Sequence, residues 1–543
     1  MKAAELFVRC LENEGVEYIF GIPGEENLDV MDALLESPIQ FVTTRHEQGA
    51  AFMADVYGRL TGKAGVCLAT LGPGATNLVT GVADANMDHA PLVAIAGQAD
   101  TERLHKESHQ VLNLDEMFSH VTKYSSSILT PNIIAEVVRK SFKVAMSEKF
   151  GASFIEFPEN IAKMQVEGRP MKVKNSVLPE PETGRVAAAV ELISQAKAPI
   201  ILAGNGVIRT RAWEALADFA EKLNIPVANT FMAKGVIPFR HPMALGSVGL
   251  QANDYANVGF SRADVIICVG YDLAEYHPKF WHPTRDRILI HIDTTSAEVD
   301  AHYEVSVGIV GDIAKSLERI AAQALPHEGR LMSPLRDALI SEMKHHAHDT
   351  DFPVKPQKLI WDLRTAMDSD DVVICDVGAH KMWMARMFRC DRPNTCIISN
   401  GFASMGIAVP GALAAKLVYP DRKVVAVTGD AGFLMNSQEI ETAMRLKTPF
   451  VILIWNDNGY GLIEWKQMRA FGRPSNVHFT NPDFVMYAQA FGAKGYRISK
   501  TEDLLPTLRR ALADNTVSII DCPVDYGENL KLTEQLGEMV MPL

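Results

Sequence analysis

Cysteine is scarce in this chain. The 543 residues hold seven, with no Cys-x-x-Cys pair. An odd, dispersed set points to reduced thiols in a cytosol-like compartment. Long apolar runs are missing too: none approaches the roughly 18 residues a membrane span needs. The start, MKAAELFVRCLENEG, lacks the apolar core and cleavage site of a secretory signal, and with Glu5, Glu12 and Glu14 it reads as an amphipathic helix. Positive charge is short as well. Lys and Arg number 53 against 66 Asp and Glu, a net charge of −13. Neutralising phosphates needs clustered Lys and Arg, so nucleic acid is not expected as a partner. There is no short repeat and no low-complexity tract. These absences predict a cytoplasmic location, with neither membrane nor nucleic acid as partner. The remaining composition, 47% hydrophobic and 22% charged, is ordinary for a soluble globular protein. The length is too great for one core and predicts two to four domains.

Helices and apolar strands alternate from the start. A helix over 3–13 leads to a strand at 18–20 and the turn Gly21-Ile22-Pro23-Gly24. Helices over 28–35 and 47–60 lead to strands over 39–43 and 65–70. Gly72-Pro73-Gly74 is expected as a turn before a helix over about 77–86, and 91–96 as another buried strand. Alternation of this kind builds parallel α/β sheets. Residues 165–184 are Pro-rich and charged and read as a linker. A second α/β unit follows, with strands at 199–203, 265–270 and 288–292. Its Gly204-Asn205-Gly206 lacks the third glycine of a dinucleotide fingerprint and reads as a plain strand-to-helix turn. Residues 326–356 are expected as a second linker. Its Lys344-His345-His346-Ala347-His348-Asp349 reads as a solvated helix end rather than a metal site, because no other ligand cluster flanks it. A third α/β unit runs from Gln357 to about Val524, followed by a polar tail with Met539, Val540 and Met541. The expected fold is α/β, with three doubly wound parallel-sheet domains at 1–165, 185–330 and 353–543. The first and third share a plan of glycine turns at strand ends.

The densest signal is GDAGFLMNSQEIETAMRLKTPFVILIWNDNGYG, from Gly429 to Gly461. The apolar run 424–428 reads as a buried strand. Gly429-Asp430-Ala431-Gly432 is expected as a tight turn, and 436–447 as a helix with Ile440, Ala443, Met444 and Leu446 on one side. A second apolar run over 450–455 ends in Asn456-Asp457-Asn458-Gly459-Tyr460. Parallel strands present the turns at their C-terminal ends on one sheet edge. Asp430 and Asp457 therefore come close if the strands are neighbours. Two carboxylates with a backbone carbonyl and phosphate oxygens suit Mg²⁺ or Ca²⁺. Glycines let N–H groups approach phosphates, and a helix N-terminus favours the anion. A plainer reading has Asp430 capping a helix and Asp457 shaping a turn.

Gly-Asp-Ala-Gly followed at this distance by Asn-Asp resembles the diphosphate and metal signature of thiamine-diphosphate enzymes. The resemblance implies Asp430, Asp457 and the Gly459 carbonyl as Mg²⁺ ligands, with Gly429, Ala431 and Gly432 beside the diphosphate. The family more often has Asn at the place of Asp457. It implies pyrimidine-binding, central and diphosphate-binding domains in that order. Glu47, within Arg45-His46-Glu47-Gln48-Gly49-Ala50-Ala51, stands in the context of the family's catalytic glutamate, which hydrogen-bonds N1′ of the aminopyrimidine. By its position alone it is a helix-start carboxylate. Gly72-Pro73-Gly74-Ala75-Thr76-Asn77 resembles a loop near the cofactor and implies contacts from Gly74 and Asn77; on their own these residues read as a turn and an N-cap. Asn400-Gly401-Phe402-Ala403-Ser404-Met405-Gly406 implies Met405 as the wedge that bends the cofactor and brings its 4′-nitrogen next to C2. The Ala403 carbonyl is implied as the acceptor from the 4′-amino group. A lone Met in such a place otherwise reads as core filler. Gly378 and Ala379 are implied beside the diphosphate, and His380 has no assigned role.

Over nearly its whole length the chain resembles acetolactate synthases, nearest to the catabolic, flavin-free kind. Gly62-Lys63-Ala64-Gly65-Val66, Val121-Thr122-Lys123-Tyr124 and Val524-Asp525-Tyr526 are among the matching pieces. The Arg-Phe-Asp-Asp-Arg stretch of FAD-binding members is replaced by Tyr271-Asp272-Leu273-Ala274-Glu275-Tyr276, so FAD is not expected. The implied reaction is thiamine-diphosphate-dependent decarboxylation of pyruvate and carboligation to a second 2-oxo acid, giving 2-acetolactate. Rival readings are a 2-oxo-acid decarboxylase or other carboligase of the same family releasing an aldehyde, and an idle thiamine-diphosphate-binding protein. The expected substrate pocket is Glu26, Gln110, Phe118, Leu462, Trp465 and Lys466, with Phe118 and Trp465 as an apolar wall. Glu26 stands where catabolic members carry Lys, and Lys466 where they carry Gln; reversing charge near a carboxylate substrate is not neutral. Glu464 and Lys466 also read as a solvated pair on a helix. Because the family shares each site between two chains, a homodimer or homotetramer is implied.

Overall fold

The computed structural model describes residues 1–174, 177–249, 254–327 and 332–533. Residues 175–176 of the first expected linker, 328–331 of the second, and the tail residues Met539, Val540 and Met541 lie outside the described residues. The chain forms two compact units. One comprises Met1–Ser176, Gly401–Asp421 and Phe433–Phe450; the other comprises Val177–Asn400, Arg422–Gly432 and Val451–Leu543. The expected α/β architecture holds, as three parallel six-stranded sheets.

The first unit is built on β1 (Tyr18–Gly21), β2 (Gln40–Thr43), β3 (Gly65–Ala69), β4 (Leu92–Gln98), β5 (Tyr124–Ser127) and β6 (Ala152–Pro158). Their order is β2-β1-β3-β4-β6-β5. The central strands β3, β4 and β6 are buried along their whole length, as continuous apolar runs in a parallel sheet should be. Two helices from much later in the chain, Ala408–Val418 and Glu439–Leu446, belong to this unit. The first packs on the helix Glu47–Thr61. Both helices are rich in small buried residues, Ala50, Ala51 and Ala54 in one and Ala412, Ala414 and Ala415 in the other, which allows a close approach of their axes.

One expectation in this unit is corrected. The helix after β3 runs Pro73–Met87, so Gly72-Pro73-Gly74 is not a turn ahead of it but its N-cap and first two residues. Proline suits that first position, where no N–H is needed and its fixed φ is already helical. Gly72 takes φ +54, and a Cβ there would meet the Gln110 side chain at 2.9 Å. Phe118 is wholly buried and stacks on Phe154, with ring centroids 3.9 Å apart and planes 3° from parallel.

The second unit carries two sheets. The strands β7 (Pro199–Ala203), β8 (Val227–Asn229), β9 (Ala244–Ser247), β10 (Val265–Val269), β11 (Ile288–Asp293) and β12 (Val307–Val310) lie in the order β12-β11-β10-β7-β8-β9. Of these, β8, β9 and β12 are only three or four residues long, too short for a clear apolar run. The segment expected as a second linker contains a helix, Ser333–His345, which buries Leu335, Leu339 and Met343 at four-residue spacing. Among the described residues no group of three or more His, Cys, Asp or Glu is placed to hold a metal, the His345–Asp349 stretch included.

The remaining strands are β13 (Val372–Cys375), β14 (Cys396–Ile398), β15 (Val424–Gly429), β16 (Val451–Asn456), β17 (Lys494–Arg497) and β18 (Ser518–Pro523). Their order, β14-β13-β15-β16-β18-β17, repeats that of the first sheet strand for strand. Here too an expectation is corrected. Gly429 is the last residue of β15 and Asp430 the first of a helix, Asp430–Asn436, so no separate glycine turn exists. A second helix, Glu439–Leu446, follows in place of one helix over 436–447.

Phe118→Ala is expected to cost about 3–5 kcal/mol in stability, read by denaturant unfolding; unaltered stability would contradict the stacking on Phe154.

Candidate active site

In the second unit, β13, β15 and β16 are adjacent and parallel, so their C-terminal ends share one edge. Cys375 pairs with Val427, and Gly429 with Trp455. This register sets Gly378, Ala379 and His380 after β13, Asp430 after β15, and Asp457 to Gly459 after β16 along a single rim.

Asp430 is 1% exposed. Its Oδ1 accepts from the Ala431 N–H at 2.9 Å, the local cap that the plainer reading expected. Its Oδ2 accepts from the Asn458 N–H at 2.8 Å and from Asn481 Nδ2 at 2.7 Å. Burial raises its pKa against these donors. Asp457 is pushed up to about 8, first by burial and then by the charge of Asp430. Two desolvated carboxylates this close repel each other unless one is protonated or a cation lies between them. The donors present are hard oxygens: the two carboxylates and the buried Asn481 Oδ1, which has no hydrogen-bond partner. That set suits a magnesium-sized cation.

Beside it, Gly378 is the N-cap of the helix Ala379–Met387. His380 is 2% exposed, its Nε2 is buried without a hydrogen-bond partner, and burial lowers its pKa to about 3. It is therefore neutral. Glycine at 429 and 432 keeps the rim low. A Cβ at Gly429 would meet the His380 ring at 3.4 Å, and one at Gly432 would meet the Asp376 carboxyl at 3.2 Å. Glycine at 461 leaves room for Asp457, whose Oδ2 would lie 2.4 Å from a Cβ there.

In the first unit, Glu47 opens the helix Glu47–Thr61 and is 9% exposed. Asn77 Nδ2 donates to its Oε2 at 2.9 Å. Gly74 lies alongside, 3.5 Å from Oε1 to an added Cβ. The turn before Glu47 is held by Glu439, whose Oε1 accepts from the Arg45 and His46 N–H groups at 3.0 Å each. Glu439 is itself fully buried, and burial raises its pKa. Ala403 adopts φ +58. A non-glycine residue in that region costs on the order of 1–3 kcal/mol, and such outliers cluster at functional sites. Met405 follows it, half-buried. The next residue, Gly406, has its carbonyl held by Asn436 Nδ2 at 3.0 Å.

Residues 1–117 match the N-terminal TPP binding domain of thiamine pyrophosphate enzymes, 186–320 the central domain, and 376–522 the C-terminal TPP binding domain. An acetolactate synthase of Bacillus subtilis is 37% identical over 554 residues, spanning 99% of this chain and 97% of the relative. The catabolic acetolactate synthase of Raoultella terrigena is 36% identical, spanning 98% of this chain and 97% of its own. The acetolactate synthase large subunit of Corynebacterium glutamicum is 33% identical, spanning 96% and 86%. The chain belongs to the thiamine pyrophosphate enzymes.

For a member of this family, three residues near the expected ones had gone unnoticed in the sequence. Asn481 stands 51 residues after Asp430, outside any motif, and Glu439 stands 394 residues from Arg45. Asn436 was read only as the start of a helix. Of the expected substrate residues, Glu26 accepts from Thr70 Oγ1 at 2.5 Å at the end of β3. Gln110 takes φ +58 and abuts Gly72. Leu462 is half-buried and Lys466 exposed. Trp465 is buried, with its Nε1 lacking a hydrogen-bond partner. Glu464 pairs with His478 at 3.7 Å, not with Lys466.

A raised Asp457 pKa means that the folded state holds this proton more tightly than the unfolded chain. Its effect on stability therefore worsens as pH rises from about 4, the usual carboxylate value, to about 8. In metal-free protein, Asp457→Asn removes that slope, so its gain in Tm over the parent is expected to grow between pH 5 and pH 8. Parallel Tm curves for the two proteins would contradict the repulsion.

Proposed function

We propose that this protein is a thiamine-diphosphate-dependent acetolactate synthase. It decarboxylates pyruvate and joins the two-carbon fragment to a second 2-oxo acid, giving 2-acetolactate. Full-length identity of 33–37% with relatives named acetolactate synthase supports the reaction. The observation that carries the cofactor is the pair of buried Asp430 and half-buried Asp457 at adjacent strand ends.

In this reading Asp430, Asp457 and the Gly459 carbonyl hold Mg²⁺, with the unpaired Asn481 oxygen within the same cluster. Gly378, Ala379, Gly429, Ala431 and Gly432 border the diphosphate, and the bare Nε2 of neutral His380 faces the same rim. Glu47 holds a proton shared with the aminopyrimidine N1′, and Asn77 fixes its carboxylate; Gly74 leaves that face open. The Ala403 carbonyl accepts from the 4′-amino group and Met405 is the apolar wedge. When bound, the cofactor supplies the electron sink for the carbanion left by departing CO₂. The protein's part is to orient, to exclude water and to hold protons.

Glu26, Gln110, Phe118, Leu462, Trp465 and Lys466 remain the proposed substrate residues. The reading includes no FAD, because Tyr271-Asp272-Leu273-Ala274-Glu275-Tyr276 stands where FAD-binding members carry Arg-Phe-Asp-Asp-Arg. It places the pyrimidine-binding, central and diphosphate-binding domains at 1–165, 185–330 and 353–543, in a cytoplasmic homodimer or homotetramer. Among the described residues no helix is long and apolar enough to cross a membrane.

Purified protein with thiamine diphosphate, Mg²⁺ and pyruvate, without FAD, is expected to yield acetolactate as the main product. Acetaldehyde alone would make it a decarboxylase. Glu47→Gln is expected to lower turnover by about 10²–10⁴-fold, the range of one acid–base group; unchanged turnover would remove Glu47 from the chemistry. Sedimentation of active protein is expected to give a dimer or tetramer, and an active monomer would overturn that part.

A further inference from the structure

A buried polar cluster in the first unit lies outside the assigned roles. Arg59 donates to both oxygens of Asp55, at 2.7 and 3.1 Å. It also donates to Asp84 Oδ2 at 3.1 Å and to Asp88 Oδ2 at 2.7 Å. Asp55 and Asp84 are fully buried and Asp88 is 1% exposed. Burial alone would lower the Arg59 pKa, but Asp55 and Asp88 hold it above its usual value. Three desolvated carboxylates around Arg59 are costly unless further groups answer them. Burial, with the charges of Asp88 and Asp55, raises the Asp84 pKa.

The further groups are backbone N–H donors of one loop. Asp88 Oδ1 accepts from Gly401 N at 2.5 Å and from Phe402 N at 3.3 Å. Asp84 Oδ1 accepts from Ser404 N at 3.3 Å. Ala403 sits between these held positions, in the left-handed conformation. Arg59 occupies the Oδ2 side of Asp84 and Asp88, which leaves their Oδ1 atoms for the loop. Glycine at 401 is needed for the contact, because a Cβ would meet Asp88 Oδ1 at 2.6 Å and the Met87 carbonyl at 2.7 Å.

We propose that Asp88, assisted by Asp84, is a positioning residue: it holds the 401–404 backbone so that Ala403 stays left-handed, its carbonyl aimed and Met405 in place. Neither aspartate touches the cofactor; both act through the loop. The inference rests on the reading of Ala403 and Met405 as cofactor contacts.

The test is a rescue series, read by titrating full-length protein with thiamine diphosphate and Mg²⁺ and following intrinsic fluorescence, alongside turnover. Asp88→Ala removes the acceptor and is expected to weaken thiamine diphosphate binding by about tenfold to a hundredfold, the strain at one left-handed residue. Asp88→Asn keeps an acceptor oxygen for the Gly401 N–H and should recover much of the loss. Ala403→Gly in the Asp88→Ala background should also recover part, because glycine takes φ > 0 without help. A merely structural aspartate would not be rescued at a distant backbone position. If Asp88→Ala does not fold, Gly401→Ala displaces the loop while leaving the aspartates and Arg59 intact, and the same weakening is expected. Wild-type affinity in Asp88→Ala or Gly401→Ala, or failure of both rescues, overturns the proposal. Failure of the parent protein to bind thiamine diphosphate would instead overturn the reading beneath it.

Discussion

The pairing of β15 with β16 is the constraint on which the second unit's site depends. Their parallel register sets Gly429 opposite Trp455, and both strands end in an acid within the next two residues. A sheet edge normally exposes such turns to water. Here Asp430 is almost wholly buried and its charge bears on Asp457. Folding therefore stores an electrostatic conflict at the rim, relieved by a proton or by a divalent cation.

The first unit handles buried charge in a different way. Glu439 and Asp88 are desolvated carboxylates that accept from backbone N–H groups distant in the chain. A buried carboxylate that accepts main-chain hydrogen bonds is a rigid clamp, because its partners cannot rotate away. One clamp fixes the turn into Glu47, and the other fixes the loop bearing Ala403. Residues assigned to the chemistry thus sit on backbone held by acids that do no chemistry. Glycines at 49 and 401 let these carboxylates approach; a Cβ at 49 would lie 2.8 Å from Glu439 Oε1.

Much of this was legible from local pattern. Apolar runs at 199–203 and 372–375 are strands with the expected limits, and Ala3–Asn13 is the expected amphipathic helix. The shared plan of the first and third sheets appeared as glycine turns at strand ends, and their strand orders coincide. Errors arose where one signal outweighed another. Glycine and proline at 72–74 spoke for a turn, yet proline is at home in a first helical turn. The charged segment before Pro356 hid Leu335, Leu339 and Met343, whose spacing is helical. The Phe154 ring that covers Phe118 comes from a strand 36 residues away, a stacking that no local pattern shows.

By itself the sequence determined the kinds of element, the α/β class, the family and the two acids at 430 and 457. These follow from periodicity within a few turns and from motifs contiguous in the chain. Tertiary structure alone decided which groups converge. That the helix Ala408–Val418 packs on Glu47–Thr61, that Asn481 reaches Asp430, and that Asp88 accepts from Gly401 are contacts across tens to hundreds of residues. No local pattern encodes them, because a carboxylate buried to hold a distant N–H reads in sequence like one that faces water.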